Sequence, residues 1–134
     1  MAAIIRTEPG AILSKAVEYH GFVYLPGITS RDTSLDIKGQ TADVLAQIDA
    51  MLEHHGTDKT RLLQAIIWVK DIKERGAMNE VWTPWLAPQG APVRACVQAE
   101  MAAHVFRDGR LSLARQDRGA HDNSLPFFPI LTLR

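Results

Sequence analysis

Apolar residues in the middle of the chain recur at the spacing of an amphipathic helix. One helical stripe holds Val44, Leu45, Ile48, Met51 and Leu52. Asp36 precedes this stripe and is a suitable N-cap, whereas Gly56 follows it and is a suitable stop. The pattern therefore predicts a helix between Asp36 and Gly56.

A second apolar stripe follows at helical spacing, formed by Met78, Val81, Trp82 and Trp85. It predicts a helix that starts near Lys73. Pro84 lacks a backbone donor and disfavours the helical region at Thr83, so we expect the helix to kink or end there. The spacing of the two tryptophans favours core packing over a ligand pocket.

Four stretches have the composition of strands: residues 3–6, 16–26, 62–69 and 92–99. His20–Gly21 interrupts the second stretch and predicts the turn of an antiparallel hairpin. Residues 62–69 are nearly all apolar, which predicts a strand covered on both faces. Strands and helices in this order indicate an α+β fold, a two-layer sandwich of a sheet packed by two helices.

The stretch 92–99 alternates in polarity, so Arg94, Cys96 and Gln98 are expected to point to the same side of the strand. A guanidinium among apolar residues needs an anionic partner. Arg94 therefore has three interpretations: a clamp for a substrate carboxylate, an internal ion pair, or an exposed strand arginine. Cys96 is either a thiol activated by the nearby cation or a small apolar filler.

The chain changes character after about Met101. All five lysines lie at or before Lys73, whereas the last 30 residues hold five arginines and no lysine. Residues 107–110 (RDGR) predict a hairpin turn and 111–114 (LSLA) a strand. The apolar end, 124–134, holds Pro126 and Pro129, and we expect it not to be a central strand.

Composition narrows the class of protein. The chain has 134 residues, so we expect a single domain over 1–134. Its formal net charge of zero disfavours nucleic acid as a partner, and its single cysteine fits a cytoplasmic location. No apolar run is long enough for a membrane span, and no metal or phosphate motif occurs, so we expect no metal.

Four blocks together resemble the RidA/YjgF family, in its compact YoaB-like branch. They are FVYLPG (22–27), the helix–turn–strand block that begins QTADVLAQI (40–72), AMNEVW (77–82) and APVRACVQA (91–99). Their order and spacing also match over roughly residues 12–100. The chain is therefore identified as a RidA-like protein by resemblance.

The resemblance implies a chorismate-mutase-like fold, and a homotrimer whose sheets form a barrel with ligand clefts between subunits. It implies hydrolysis of reactive 2-imino and enamine acids to 2-oxo acids and ammonia, without a cofactor. Arg94 matches the arginine that grips the substrate carboxylate, and Cys96 the cysteine two residues later. Asn79 and Gly27 match other residues of the substrate site, and Leu13 stands where the family has an aromatic residue of that site.

One part of the family pattern is missing. The last family strand reads like VEIEAIA, and its first glutamate positions water, whereas LSLA places Ser112 at that point. A hydroxyl is a far poorer base near pH 7. Another carboxylate opposite Arg94, such as Glu100 or Asp108, would favour an enzyme. The alternative is a non-catalytic trimeric protein that binds small carboxylates or serves in interactions.

Overall fold

The described part of the chain forms one mixed sheet with two helices on one of its faces, and a small separate hairpin. The computed structural model describes residues 3–100, 104–107, 110–113 and 128–133, with side chains described for residues 3–100. The helices are α1 (Ile37–His54) and α2 (Arg75–Trp85). The strands are β1 (Ile5–Pro9), β2 (Ser14–Tyr19), β3 (Phe22–Tyr24), β4 (Leu62–Val69), β5 (Val93–Gln98), β6 (His104–Arg107), β7 (Arg110–Leu113) and β8 (Phe128–Leu133). This is the predicted α+β sandwich.

The large sheet has the strand order β1-β2-β3-β8-β4-β5, and β6 pairs only with β7. Its neighbours are antiparallel except for β4 and β5, which run parallel with Ala65 beside Arg94 and Ile67 beside Cys96. A parallel pair needs a crossover, and α2 with its flanking turns supplies it. Strand β5 is the last strand in this order and therefore an edge strand of the sheet. In the sequence, α2 directly precedes β5.

The local signals in the first half of the chain behave as predicted. His20 and Gly21 both have positive φ, at 50° and 76°, and they join β2 to β3. Such a turn matches the twist of a hairpin. Asp36 caps α1 by accepting from the Gly39 amide at 2.8 Å, and Gly56 follows the helix at φ 68°. The first strand extends further than predicted, to Pro9.

Buried polar side chains hold the loop before α1. The Gln40 side-chain amide donates to the Leu35 carbonyl at 2.7 Å, and the Thr41 hydroxyl donates to the Ile37 carbonyl at 2.6 Å. Asp43 accepts from the Arg31 backbone amide at 2.7 Å. These bonds anchor residues 31–37 to the first turns of α1, so the QT pair has a structural role.

The core lies between the sheet and the helices. Its sheet side holds Ala16, Val23, Leu25, Ala65, Ile67 and Val69. Its helix side holds Val44, Leu45, Ile48, Leu52, Met78 and Trp82. The apolar stripes predicted for both helices therefore face the sheet, except that Met51, Val81 and Trp85 are only partly buried.

The second helix begins two residues later than predicted. Residues 72–74 form a 3-10 turn, and α2 starts at Arg75. Pro84 lies inside its last turn, and the helix ends at Trp85. The predicted end near Pro84 is confirmed, because a proline cannot donate to the carbonyl one turn earlier.

The prediction that β4 is covered on both faces is wrong for the described residues. Ala65, Ile67 and Val69 are buried under the helices, whereas Ile66 and Trp68 on the other face are only partly buried. No layer of the described residues covers that face. The apolar run of β4 is therefore buried on one face and only partly buried on the other.

The expectation that the proline-containing end cannot be a central strand is also wrong. Strand β8 lies between β3 and β4, with Pro129 opposite Ile67. However, β3 pairs only with Thr132 and Leu133. Pro129 thus sits where β8 has one strand neighbour, and there a missing amide donor is tolerated as it is at an edge. The pairing of β6 with β7 confirms the strand predicted at residues 111–113, whereas the central residues of the predicted turn, 108 and 109, lie outside the described residues.

Within the residues that the structure describes, neither helix has the length and apolar character to cross a membrane.

Replacement of a core isoleucine tests this packing. Ile48 is 0% exposed and Ile12 is 88% exposed. We expect Ile48→Ala to lower the free energy of unfolding by about 3 kcal/mol, because a cavity is left, and Ile12→Ala by under about 0.5 kcal/mol. Urea unfolding at one protein concentration measures both. Equal decreases in the free energy of unfolding for the two variants would contradict the placement of Ile48 in the core.

Candidate functional site

The edge strand β5 presents its polar residues to the helix layer. Cys96 packs against the core, and Gln98 accepts from the Ile72 backbone amide at 3.0 Å. Arg94 is tied to α2 through Asn79. The predicted alternation is confirmed, since these three strand residues share one side, and Val93 and Val97 are exposed on the other.

Arg94 is held in place by two groups of α2. Its Nη1 donates to Asn79 Oδ1 at 2.7 Å, and its guanidinium carbon lies 5.5 Å from the centroid of a Trp82 ring. Trp82 is 4% exposed, so its indole is a fixed part of the core. A cation over an indole face is stabilised by the ring quadrupole. Trp82 therefore packs in the core, as predicted, and also supports the arginine.

The positive charge of Arg94 has no counter-charge among residues 3–100. No carboxylate of this part of the chain lies within 4 Å of its guanidinium, and Asn79 is neutral. The interpretation as an internal ion pair therefore finds no partner there. Its Nε and Nη2 donate to no described residue. An exposed guanidinium with one free edge is suited to a planar anion such as a carboxylate.

Cys96 is half-buried beside the arginine. Burial raises the pKa of the Cys96 thiol, and the positive charges of Arg94 and Arg75, which lower it, have smaller effects. The sulfur therefore carries its proton at neutral pH. This environment resembles that of an apolar filler more than that of an activated nucleophile.

Arg75 is a charged neighbour of this site that the sequence reasoning missed. It is the first residue of α2 and its charge acts on Cys96. It also precedes Asn79 by four positions, so both residues lie on one face of the helix. The spacing of four is visible in the sequence, but it does not specify how this helix face is rotated against β5.

Two predicted residues lie apart from the arginine in the single chain. Gly27 follows β3, and Leu13 precedes β2 and is exposed. Neither shares a hydrogen bond with Arg94 within the described residues. Their assignment to a common site stays a prediction.

No described residue that we predicted to position water lies beside Arg94. Ser112 lies in β7, which pairs with β6 and is not part of the large sheet. Glu100 follows β5, where Gln98 is already about 13 Å along the strand from Arg94. Asp108 lies outside the described residues. The catalytic role of Ser112 therefore stays a prediction, and Glu100 is not opposite Arg94 within one chain.

A cavity of about 250 Å³ lies elsewhere, between the β1–β2 hairpin and the second half of α1. It is lined in part by Lys15, Ala16, Met51 and His55. Nδ1 of His55 is paired with the Glu18 carboxylate. Arg94 does not line this cavity, and its side chain is exposed. Within the described residues, no three His, Cys, Asp or Glu side chains are arranged to hold a metal ion.

Comparisons with known proteins agree on one family. The family model described as endoribonuclease L-PSP matches residues 5–107. The chain is 37% identical over 99 residues to a RutC family protein of Haemophilus ducreyi, covering 74% of this chain and 85% of that protein. It is 38% identical over 96 residues to the RutC family protein YoaB of Escherichia coli, covering 72% and 83% respectively.

Solved structures show the same similarity. A member of the YjgF protein family from Neisseria meningitidis superposes with a TM-score of 0.78 at 30% identity, covering 98% of this chain and 93% of that chain. A member of the YjgF/YER057c/UK114 family from Mycobacterium tuberculosis gives a TM-score of 0.70 at 20% identity, covering 98% of both chains. At 20% identity, the similarity to the Mycobacterium tuberculosis protein supports only the fold.

The protonation state of the thiol is directly measurable, because the chain has a single cysteine. We expect the pH midpoint of alkylation by iodoacetamide to lie above that of a free cysteine, since burial raises the pKa of Cys96. Arg94→Ala is expected to move the midpoint higher still. Mass spectrometry over a pH series gives the rates. A midpoint below that of a free cysteine would contradict the assignment.

Proposed function

Because this chain belongs to the RidA/YjgF family, we propose that it hydrolyses reactive 2-imino and enamine acids to 2-oxo acids and ammonia. Membership itself supports the broader statement of a small-molecule-processing role. The observation that carries the specific proposal is Arg94, a guanidinium positioned by Asn79 and Trp82 with no counter-charge among residues 3–100.

In this proposal the arginine binds the substrate carboxylate through its free Nε–Nη2 edge. A bidentate pair of charge-assisted hydrogen bonds fixes both the position and the plane of the substrate. The carbon of a protonated imine is already electrophilic, so catalysis requires a positioned water and a proton donor. Water adds to that carbon, the C–N bond breaks, and ammonia leaves with the 2-oxo acid as the other product.

Cys96 and Asn79 have supporting roles in this proposal. The protonated thiol of Cys96 faces the same side of β5 as Arg94 and forms part of the wall of the site. Asn79 uses its side-chain oxygen to accept from Arg94, which fixes the direction of the guanidinium. Neither residue supplies a charge that competes with the substrate carboxylate.

The role of Arg94 is tested by generating 2-iminobutanoate or 2-iminopropanoate in situ and following its decay. We expect the wild type to accelerate the decay and Arg94→Ala to lower kcat/KM by about 10- to 100-fold, the value of a charge-assisted hydrogen-bonding pair. Arg94→Lys keeps the charge without the planar edge and is expected to recover only part of the loss.

Arg6→Ala is the matched control, because Arg6 is an exposed arginine on β1, at the opposite edge of the sheet. It is expected to leave the rate unchanged. Absence of acceleration by the wild type would overturn the hydrolase proposal for these substrates. Equal acceleration by wild type and Arg94→Ala would overturn the role of the arginine.

A second function is favoured by one observation: no carboxylate of residues 3–100 lies within 4 Å of the Arg94 guanidinium nitrogens. A site with an anion clamp and no general base binds 2-oxo acids without turning over imines. Saturable binding of 2-oxobutanoate without acceleration of imine decay would support this non-catalytic protein. Acceleration of imine decay would support the hydrolase.

We also propose that the protein is a homotrimer in which the sheet faces opposite the helices form a barrel. The face opposite the helices carries Ile66 and Trp68 of β4 and, beside them in register, Ala95 and Val97 of β5. Val93 on this face is 71% exposed and Val97 is 43% exposed. An apolar face of this kind is typical of an interface between proteins. A second chain would also cover the exposed side chain of Arg94.

The assembly is tested by mass in solution. We expect a particle of three times 14.9 kDa for the wild type. Val97→Arg places a charge on the sheet face opposite the helices and is expected to give smaller particles. Leu35→Arg, at an exposed apolar residue of the loop before α1, serves as the control and is expected to keep the wild-type mass. A wild-type mass of 14.9 kDa would contradict the trimer.

A further inference from the structure

Arg75, Asn79 and Trp82 lie on one face of α2, because they are spaced four and three residues apart. This is the face that contacts the edge strand β5. Arg75 and Asn79 are one turn apart, which places their Cβ atoms about 5–6 Å from each other. Asn79 and Trp82 both contact Arg94. The side chain of Arg75 therefore leaves the helix on the same face as the two groups that hold the arginine of β5.

Two hydrogen bonds fix the direction in which α2 runs along β5. The Ile72 backbone amide donates to Gln98 at 3.0 Å, and Arg94 donates to Asn79 at 2.7 Å. The start of the helix is thus held at the carboxyl end of the strand, and its middle is held at Arg94. Cys96 lies between these two attachments on the strand, and Arg75 is one of the residues between them on the helix side.

Arg75 and Arg94 are both among the basic residues of residues 3–100 that have no carboxylate partner. Lys15, Arg31 and Lys38, by contrast, each form an ion pair with a carboxylate. Both guanidinium charges lower the pKa of Cys96 against the larger effect of its burial. The sulfur is therefore within electrostatic reach of both. Two unbalanced cations on the rim of one site attract an anion that meets them together.

We propose that Arg75 is a specificity-determining residue that binds a second anionic group of the ligand, so that the site prefers 2-oxo and 2-imino dicarboxylic acids to monocarboxylic ones. The inference rests on the proposed function, because Arg94 binds the carboxylate next to the reacting carbon. Arg75 binds the carboxylate at the far end of the molecule. Its exposed position leaves room for ligands of different length.

The test compares two ligands that differ only in the second carboxylate, 2-oxopentanedioate and 2-oxopentanoate. We expect the wild type to bind the dicarboxylate about five-fold more tightly in calorimetric titration, as befits one exposed charge pair. Arg75→Gln is expected to abolish this difference, because it weakens binding of the dicarboxylate more than binding of 2-oxopentanoate. Arg75→Lys is expected to keep the preference, and added salt to reduce it.

Arg6→Gln is the matched control for removing one positive charge, and it is expected to keep the wild-type preference. Equal affinities for both ligands in the wild type, or a preference that survives Arg75→Gln, would overturn the inference. In that case, loss of binding in Arg94→Ala would still support the carboxylate clamp. A preference that depends on Arg75 in a protein without imine hydrolysis would support the inference and overturn the hydrolase.

Discussion

The stacking of the Arg94 guanidinium on Trp82, with one of its nitrogens bonded to Asn79, is the interaction on which the candidate site depends. An unbalanced guanidinium on a flexible side chain loses conformational freedom when it binds a ligand, and this loss weakens binding. Here a buried indole and a helix amide hold the group before a ligand arrives. The side chain therefore loses its conformational entropy on folding rather than on binding, and its Nε–Nη2 edge is available to the anion.

The fold explains how such a small chain supports this arrangement. A parallel β4–β5 pair requires a crossover, and the crossover here contains α2, which carries Asn79 and Trp82 back over β5. Met78 and Trp82 anchor that helix in the core. On the opposite face, the same strand pair exposes the apolar residues Val93 and Val97. The site and the proposed subunit interface are therefore two faces of one strand pair.

Much of this architecture was predictable because its signals are local. The cap at Asp36, the turn at His20–Gly21 and the period-two alternation around Arg94 depend on neighbouring residues only. Arg75 was missed because its relevance depends on the rotation of α2 against β5, which no local pattern specifies. The placement of β8 was missed because a proline is excluded from a sheet interior only where both neighbouring strands pair with it, and at Pro129 one of them does not.

The central claim, that Arg94 is a pre-positioned carboxylate clamp, is tested most directly by its side-chain resonance in NMR. We predict that the Arg94 Nε–H signal is observable without ligand, because Asn79 and Trp82 restrain the group. It should then shift to saturation on titration with 2-oxobutanoate, with the exposed Arg6 signal unchanged. An Arg94 signal that does not respond at saturating ligand, or that moves only together with Arg6, would contradict the account.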